Sequence, residues 1–234
     1  MKNAIITAAT KGMGRAIAIA FANEGVNLAI CSRNSDDLSA FKKELAGINP
    51  GIKVFTSVTD CSIKQQVLDF AAAAEGELGP VSIIVNNVGM YTYSSILDDN
   101  EDAFQKHVAI NLGAAYELYR YFGKKMIAAK SGHIFSICSV AAINPLPEAG
   151  IYSVTKYALL GLSKVMRSEM QPHGVKVTAV IPGSTLTNSW AGMAVDKDKM
   201  VLPEDIASAI INAYKMSQGA DVEEILIKPA YGQV

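Results

Sequence analysis

The sequence predicts an α/β protein of the doubly wound class, in which a seven-stranded parallel sheet carries helices on both faces of a single domain, residues 1–234. Three observations lead to this prediction. Seven short apolar segments, rich in β-branched residues, lack the alternation of a half-exposed strand. Helical patterns separate them from end to end. The first strand runs directly into a glycine-containing turn and a helix.

The strands are short because polar or turn-forming residues bound each apolar run. They are predicted at Ala4–Thr7, Val26–Cys31, Ile52–Ser57, Val81–Asn86, His133–Cys138, Val175–Ile181 and Glu224–Ile227. Helices are predicted between them, at Gly12–Asn23, Asp36–Ala46, Ser62–Glu75, Glu101–Ala129, Ile151–Met170 and Pro203–Met216. Gly25 follows the first helix, where a C-terminal stop is expected.

Composition excludes several classes of protein. Half of the residues are hydrophobic and the net charge is −1, so we expect neither a nucleic-acid nor a membrane partner. The Lys2 segment resembles the start of a signal peptide, but its apolar part is short and charged residues follow, so a first strand is the better interpretation. Three separated cysteines indicate reduced thiols and a cytoplasmic location. Three histidines without ligand spacing give no reason to expect a metal.

The turn after the first strand is the natural phosphate site of this architecture. Unpaired N–H groups and the helix dipole favour an anion at a helix N-terminus. Gly12 and Gly14 would let a diphosphate approach the backbone. A glycine pair alone also fits an ordinary turn, so the prediction depends on its position directly after the first strand.

The end of the second strand predicts which dinucleotide binds. A carboxylate about 20 residues beyond the glycine turn would accept hydrogen bonds from the ribose hydroxyls of NAD. Here that place holds Ser32 and Arg33, and Asp36 instead marks a helix start. Arg33, assisted by Lys11, suits a 2′-phosphate, so the pattern favours NADP(H) over NAD(H). The alternative is that both cations are solvated surface charges.

The motifs together resemble the short-chain dehydrogenase/reductase family, over nearly the whole chain and in the family's order. The family's T-G-x-x-x-G-x-G loop matches residues 7–14, and its N-N-A-G motif matches Asn86-Asn87-Val88-Gly89. The helix asparagine matches Asn111, the serine matches Ser139, and Y-x-x-x-K matches Tyr152 and Lys156. The P-G-x-x-x-T motif matches residues 182–187. The resemblance implies a Rossmann-type fold.

It also implies two sets of site residues. The catalytic set is Asn111, Ser139, Tyr152 and Lys156. The cofactor-binding set is Thr10, Lys11, Gly12, Met13, Gly14, Ser32, Arg33, Asp60, Cys61, Asn87, Gly89, Tyr152, Lys156, Pro182, Gly183, Thr185 and Thr187. In this family Asp60 would meet the adenine, Lys156 would hold the nicotinamide ribose, and Asn111 would hold a water that links Lys156 to solvent.

The chain departs from the family pattern at the first glycine of the loop, which is Ala8. We expect this position to avoid a left-handed backbone, with the loop detail altered and binding retained. A second Y-x-x-x-K spacing occurs at Tyr121 and Lys125, inside the long predicted helix. It has no serine a dozen residues upstream, so we interpret it as structural.

Tyr152 and Lys156 are four residues apart and share one face of a helix. An ammonium ~5 Å from a phenolate stabilises it by about 3 kcal/mol at an effective dielectric of ~20. Tyr152 is therefore predicted as the general acid in reduction and the general base in oxidation. Ser139 would hydrogen-bond the substrate oxygen. Each residue also has a structural interpretation: Ser139 as a cap, Asn111 as an ordinary helix residue, Lys156 as a surface charge.

Two segments, about residues 142–150 and 184–200, are expected to wall the substrate site. They contribute apolar side chains that suit a moderately hydrophobic carbonyl compound, and Tyr91 and Tyr93 would join them. The apolar side chains are Ile143, Pro145, Leu146, Trp190, Met193 and Met200. Trp190 and the methionines have ordinary core packing as the alternative.

We therefore predict an NADPH-dependent oxidoreductase that reduces a ketone or other carbonyl compound. In the reverse direction it would oxidise the corresponding alcohol. Candidate substrates include a 3-oxoacyl thioester, and the C-terminal "EEILIKPAYG" resembles sepiapterin-reductase-like members. The alternative is a non-catalytic regulator that senses NADP(H). The sequence contains neither the G-x-S-x-G motif of serine hydrolases nor the G-x-x-x-x-G-K-[ST] motif of nucleotide triphosphatases, so neither activity is expected. The apolar "YALLGLSKVM" helix, residues 157–166, predicts a homo-oligomer, with a tetramer favoured over a dimer.

Overall fold

A computed structural model, which describes residues 2–190, 192 and 195–232, has one seven-stranded sheet at its centre. All neighbouring strands are parallel, in the order β3-β2-β1-β4-β5-β6-β7. The strands are β1 (Asn3–Ile6), β2 (Asn27–Ser32), β3 (Val54–Val58), β4 (Ile83–Asn86), β5 (His133–Ile137), β6 (Lys176–Pro182) and β7 (Glu224–Ile227). The inner strands are buried on both faces, as their unbroken apolar runs predict, whereas edge strands β3 and β7 are partly exposed.

The helices cover both faces of the sheet. They are α1 (Gly12–Asn23), α2 (Ser35–Ile48), α3 (Lys64–Leu78), α4 (Ala103–Val108), α5 (Ala114–Ala129), α6 (Gly150–Met170) and α7 (Pro203–Lys215). Helices α1, α2 and α7 pack in one apolar cluster, and α3, α5 and α6 pack in the clusters of the opposite face. The doubly wound prediction is confirmed. In the described part of the chain, no helix is both long and apolar enough to cross a bilayer.

Local sequence explains where the helices begin and end. Gly25, just past α1, has a φ of 73°, a left-handed conformation that glycine adopts without steric cost. Asn34 caps α2, because its Oδ1 accepts hydrogen bonds from the N–H groups of Asp36 and Asp37 at 2.9 and 2.8 Å. Asp36 therefore lies in the first turn of a helix, as the sequence predicts.

The prediction of one uninterrupted helix over Glu101–Ala129 is wrong in detail. Helix α4 begins at Ala103, and a π-helical turn at Ala109–Gly113 separates it from α5. Such a turn inserts one extra residue into the helical ladder and often marks a functional position. The sequence prediction missed it, because one inserted residue changes the apolar pattern of a long helix over a single turn only. Asn111 lies inside this turn.

The expectation for Ala8 is also wrong. Its φ is 51°, so an alanine occupies the left-handed region at the end of β1. Such a conformation costs roughly 1–2 kcal/mol for a residue with a Cβ. Hydrogen bonds on both sides of the turn offset this cost. The Asn87 side-chain amide donates to the carbonyls of Thr7 and Ala8 at 2.9 and 3.1 Å, and the Ala9 N–H donates to the Cys31 carbonyl at 3.1 Å.

Candidate active site

The turn between β1 and α1 presents the free end of a helix at the carboxyl edge of the sheet. Within the described chain, no side chain caps this end and no acidic residue occupies the first turn. Gly12 has a φ of 54°. A Cβ on Gly14 would stand 2.4 Å from Nδ2 of Asn87 and 2.6 Å from the Ala8 oxygen, so only glycine fits there. The turn leaves its N–H groups available to an anion.

Two adjoining cavities flank this turn. The first, of about 400 Å³, runs from the end of β2 past the ends of β1 and β4, and is lined by Ala8, Thr10, Lys11, Ser32, Arg33, Asn34, Asp37, Thr59, Asp60, Cys61, Ser62, Val88, Gly89, Met90 and Ile110. The second, of about 660 Å³, lies over the start of α1 and is lined by Thr10, Lys11, Gly12, Arg15, Ala16, Leu186, Thr187, Asn188, Trp190, Lys197, Pro203 and Glu204. Together they lie at the topological switch point of the sheet, where β1 separates the two directions of winding.

The β2 end of the first cavity holds the predicted ribose contacts. Arg33 is exposed and lines the wall. Lys11 forms an ion pair of 2.9 Å with Asp37, a residue that the sequence analysis did not single out. Its charge is therefore partly compensated. Asp60 accepts hydrogen bonds from the hydroxyl and the N–H of Ser62, and these bonds hold the pKa of Asp60 below its usual range.

Nine of the predicted cofactor residues line these two cavities: Thr10, Lys11, Gly12, Ser32, Arg33, Asp60, Cys61, Gly89 and Thr187. Others support the walls. Met13 and Gly14 lie in the first turn of α1. Gly183 follows Pro182, the last residue of β6. The Thr185 hydroxyl donates to the Gly183 carbonyl at 2.9 Å, and the Gly183 N–H donates to the Ile227 carbonyl at 2.7 Å. An uncapped helix end, a glycine turn and Arg33 fit a phosphorylated dinucleotide.

Tyr152 and Lys156 lie one turn apart on α6, with Nζ of Lys156 5.6 Å from the centre of the Tyr152 ring. Lys156 is only 4% exposed, which excludes the surface-charge interpretation. Its ammonium donates to the Ile137 carbonyl at 2.8 Å, at the end of β5. It also lies 3.4 Å from the place that a Cβ on Gly89 would occupy, so the ammonium meets the wall of the first cavity.

Asn111 is 1% exposed, and its side chain binds the backbone of the segment after β4. Its Oδ1 accepts from the Met90 N–H at 2.7 Å, and its Nδ2 donates to the Met90 carbonyl at 3.0 Å. Nδ2 also donates to Oγ1 of Thr155 at 2.9 Å, on the helix that carries Tyr152. Asn111 therefore connects the cavity wall to α6, a role more specific than that of an ordinary helix residue.

Ser139 lies between β5 and a short 3₁₀ turn, Val140–Ala142. Its hydroxyl oxygen accepts a hydrogen bond from the Ala141 N–H at 3.1 Å, so the capping interpretation describes part of what it does. That bond uses a lone pair of the oxygen, and the hydroxyl proton remains a donor for another group. A structural contact and a substrate contact are thus compatible at this serine.

The predicted substrate walls are only partly brought together. The Tyr91 ring meets the Tyr152 ring edge to face, with centroids 5.0 Å apart. Burial raises the pKa of Tyr91, and the Glu148 carboxylate adds to this shift. Trp190 instead lines the cavity over α1, and Met200 is buried. Met193 lies outside the described residues.

The fold and these cavities define a nucleotide-binding α/β protein with a tyrosine–lysine pair at the ends of its central strands. The family model described as "short chain dehydrogenase" matches residues 2–198. The chain belongs to the short-chain dehydrogenase/reductase family and is an oxidoreductase of that family.

Similar proteins come from distant organisms. The chain is 31% identical to a sepiapterin reductase of Chlorobaculum tepidum over 238 residues, covering 98% of this chain and 97% of that protein. It is 32% identical to the glycine betaine reductase ATRR of Emericella nidulans, covering 97% of this chain but only 19% of that longer protein. An alcohol dehydrogenase of Thermococcus sibiricus, solved with 5-hydroxy-NADP, superposes with a TM-score of 0.92 at 27% identity, over 100% of this chain and 99% of that one.

Proposed function

We propose that this protein is an oxidoreductase that reduces a ketone or other carbonyl compound with NADPH and, in the reverse direction, oxidises the corresponding alcohol with NADP⁺. The observation that carries the proposal is the buried Lys156 ammonium, 5.6 Å from the Tyr152 ring and against the cavity wall at Gly89. A buried cation beside a phenol stabilises the phenolate that remains after the phenol has given up its proton.

The chain's own residues supply position and a proton. NADPH, when bound, supplies the hydride. The Tyr152 hydroxyl donates its proton to the substrate oxygen as negative charge develops there. The Ser139 hydroxyl donates a hydrogen bond to the same oxygen and orients the carbonyl. Lys156 stabilises the resulting phenolate, and Asn111 holds the Met90 segment against α6.

The cofactor would lie along the two cavities. Its diphosphate would meet the N–H groups at Gly12 and its adenosine the wall at Ser32, Arg33 and Asp60. Lys156 would hold the nicotinamide ribose, and Thr187 and Thr185 would lie near the carboxamide or the diphosphate. The Thermococcus sibiricus alcohol dehydrogenase and a metagenomic short-chain oxidoreductase, 28% identical, were both solved with NADP-type ligands, which supports the preference for NADP(H).

Arg33 carries this preference, because Lys11 is paired with Asp37. We expect Arg33→Asp to lower kcat/KM for NADPH by at least ~30-fold, since a hydrogen-bonded charge pair is lost and a repulsive one is introduced. The value for NADH should change less than ~3-fold and serves as the internal control. An unchanged ratio of the two values would contradict the assignment of Arg33.

The substrate would be a carbonyl compound that reaches Tyr152 beside the Tyr91 ring. The name of one relative that the chain matches over nearly its whole length, a sepiapterin reductase, supports a reducible substrate. The deciding experiment measures NADPH oxidation at 340 nm against a panel of α-diketones, pterin ketones, aldehydes and 3-oxoacyl thioesters. Turnover of at least one class supports an enzyme. NADPH binding with no turnover in either direction would favour the alternative, an NADP(H)-sensing regulator.

We also propose a homo-oligomer, with a tetramer favoured. The outer face of α6 exposes Val154, Tyr157 and Val165, and Tyr116 is exposed on α5. An apolar face of this kind is typical of a subunit interface. Sedimentation equilibrium tests it, and a monomer at micromolar concentration would contradict it. The free cysteines Cys31, Cys61 and Cys138 support a location in the cytoplasm.

A further inference from the structure

A buried histidine lies directly behind the candidate active site. His107 is 0% exposed and stands on α4, one helical turn before Asn111. Its Nε2 lies 3.0 Å from Oγ1 of Thr92, and its Nδ1 lies 3.4 Å from Nδ2 of Asn111. None of the roles described above uses this ring.

The orientation of the Asn111 amide is fixed by its neighbours. The Met90 N–H can only donate, and it meets the side-chain oxygen of Asn111 at 2.7 Å. The amide nitrogen must therefore face the Met90 carbonyl, Oγ1 of Thr155 and the His107 ring. Oγ1 of Thr155 lies 2.9 Å from the Tyr152 carbonyl, so the network reaches the helical turn that carries the tyrosine.

This orientation determines the tautomer of His107. The two amide protons go to the two nearer acceptors, the Met90 carbonyl and Oγ1 of Thr155, and Nδ1 of His107 is the more distant third neighbour at 3.4 Å. The amide nitrogen has no available lone pair, so the ring nitrogen that faces it avoids a clash of two donors only when it presents its own lone pair. Nδ1 is therefore unprotonated, and the proton of the neutral ring lies on Nε2 and is donated to Oγ1 of Thr92. A proton on Nδ1 would place two donors face to face across 3.4 Å.

We propose that neutral His107 is a positioning residue that permits the hydrogen-bonded orientation of Asn111, and that protonation of its ring places a donor against the Asn111 amide, displaces it and lowers turnover. The displaced amide no longer binds Met90 and Thr155 together. The cavity wall after β4 and the helix that carries Tyr152 then lose their connection. The effect on turnover rests on the proposed function, whereas the state of the ring and its effect on Asn111 do not.

The charges around the ring set where protonation occurs. Burial lowers the pKa of His107, and the Asp99 carboxylate, from the segment before α4, opposes this shift. Oδ1 of Asp99 is itself buried and has no hydrogen-bond partner among the described residues. On α4, Lys106 is paired with Asp102. From α6, Thr155 faces the Asn111 amide, and the Lys156 ammonium lies near Gly89, beside the Asn111 oxygen. The His107 ring therefore takes up its second proton at a pH below the ordinary histidine pKa of about 6.5.

The first experiment requires no substrate. The chain has three histidines, so uniform ¹⁵N labelling gives three ring systems together with the side-chain amides, and His107→Asn assigns the ring of interest. At pH 7.5 the His107 ring should be the neutral Nε2–H tautomer. On acidification it should titrate below pH ~6.5, and the Asn111 side-chain amide signals should move with the same midpoint. An Nδ1–H tautomer, or an Asn111 amide that does not respond, would overturn the proposal.

The second experiment is a kcat profile from pH 5 to 8 with saturating cofactor and carbonyl. Wild-type kcat should fall about tenfold per pH unit below the His107 midpoint, because one proton is involved. We call this fall in kcat at low pH the acid limb. His107→Asn places an amide oxygen where Nδ1 stood, so kcat at pH 7.5 should stay within ~3-fold and the acid limb should disappear. Asp99→Asn should move the limb to lower pH, because it removes the charge that raises the pKa of His107.

His173→Asn is the matched control, because His173 is exposed, and its acid limb should equal that of the wild type. Circular dichroism at each pH confirms that every variant stays folded. An acid limb that persists unchanged in His107→Asn would refute the positioning role. If no carbonyl is turned over, the proposed function fails while the spectroscopic result still decides the state of His107.

Discussion

The same Y-x-x-x-K spacing occurs twice in this chain, in two very different surroundings. On α5, Nζ of Lys125 lies only 3.9 Å from the centre of the Tyr121 ring, closer than the 5.6 Å between Lys156 and Tyr152. Yet Glu75 binds both members of the α5 pair, with its Oε2 2.5 Å from Lys125 and 3.1 Å from the Tyr121 hydroxyl. The Lys125 side chain is 47% exposed, against 4% for Lys156.

Distance alone therefore does not make a tyrosine reactive. The charge of Lys125 is compensated by a carboxylate and screened by water, so little of it acts on the Tyr121 oxygen. The Lys156 ammonium faces a neutral carbonyl, that of Ile137, in a buried place at the cavity wall. The comparison predicts different results for the same substitution at the two sites.

The largest difference is expected for the two tyrosines. Tyr152→Phe should lower kcat for carbonyl reduction by at least ~10²-fold, because it removes the general acid. Tyr121→Phe removes only a hydrogen bond to Glu75, and kcat should stay within ~2-fold, with unfolding free energy lower by about 1 kcal/mol. Steady-state kinetics and urea denaturation measure the two effects. Equal turnover by the two variants would remove the proposed mechanism.

The effects on kcat of replacing the two lysines should differ less than the effects of replacing the two tyrosines. An ammonium ~5 Å from a unit negative charge is worth about 3 kcal/mol at an effective dielectric of ~20. That energy sets an upper limit of about 150-fold. Water at the cavity wall screens part of the interaction, so Lys156→Met should lower kcat by about 10- to 100-fold, and it should also weaken cofactor binding. Lys125→Met breaks a surface ion pair worth about 0–1 kcal/mol and should leave kcat within ~2-fold. A loss of activity in Lys125→Met that matched the loss in Lys156→Met would show that burial does not distinguish the pairs.

The smallest effect is expected when the carboxylate on α3 is neutralised. Glu75→Gln should lower the free energy of unfolding by less than ~1 kcal/mol, because the α5 pair is partly solvated. It should not alter carbonyl reduction. Raising the salt concentration to 1 M in urea denaturation should abolish most of the difference between wild type and variant, since salt screens exposed pairs. A difference that survived high salt would mean that this ion pair is less solvated than its exposure indicates.

Much of the fold and of the candidate site followed from local patterns. Apolar β-branched runs predicted the parallel sheet, because a strand buried on both faces needs an unbroken run. The spacing of Tyr152 and Lys156 predicted a shared helix face, because four residues make about one helical turn. The glycine turn at Gly12 predicted a helix start at the carboxyl edge of the sheet, and α1 begins there.

Other features depend on residues that are distant in sequence. The left-handed Ala8 is held by Asn87, which lies 79 residues further along the chain. The pairing of Lys11 with Asp37, the capture of the Met90 backbone by Asn111 and the His107 ring behind it are likewise contacts between separate elements. The π-helical turn inserts a single residue within a long helical pattern, and no residue type in the sequence marks its position.

The sequence by itself determined the class of fold and the order of its elements, and it named the candidate groups for proton transfer, because periodicity and spacing are local properties of the chain. Only the tertiary structure decided which of two identical spacings carries a buried ammonium that has no carboxylate partner among the residues the structure describes. Burial and charge compensation depend on what packs against a side chain. For Lys156 that neighbour is the end of β5, and for Lys125 it is Glu75 on α3.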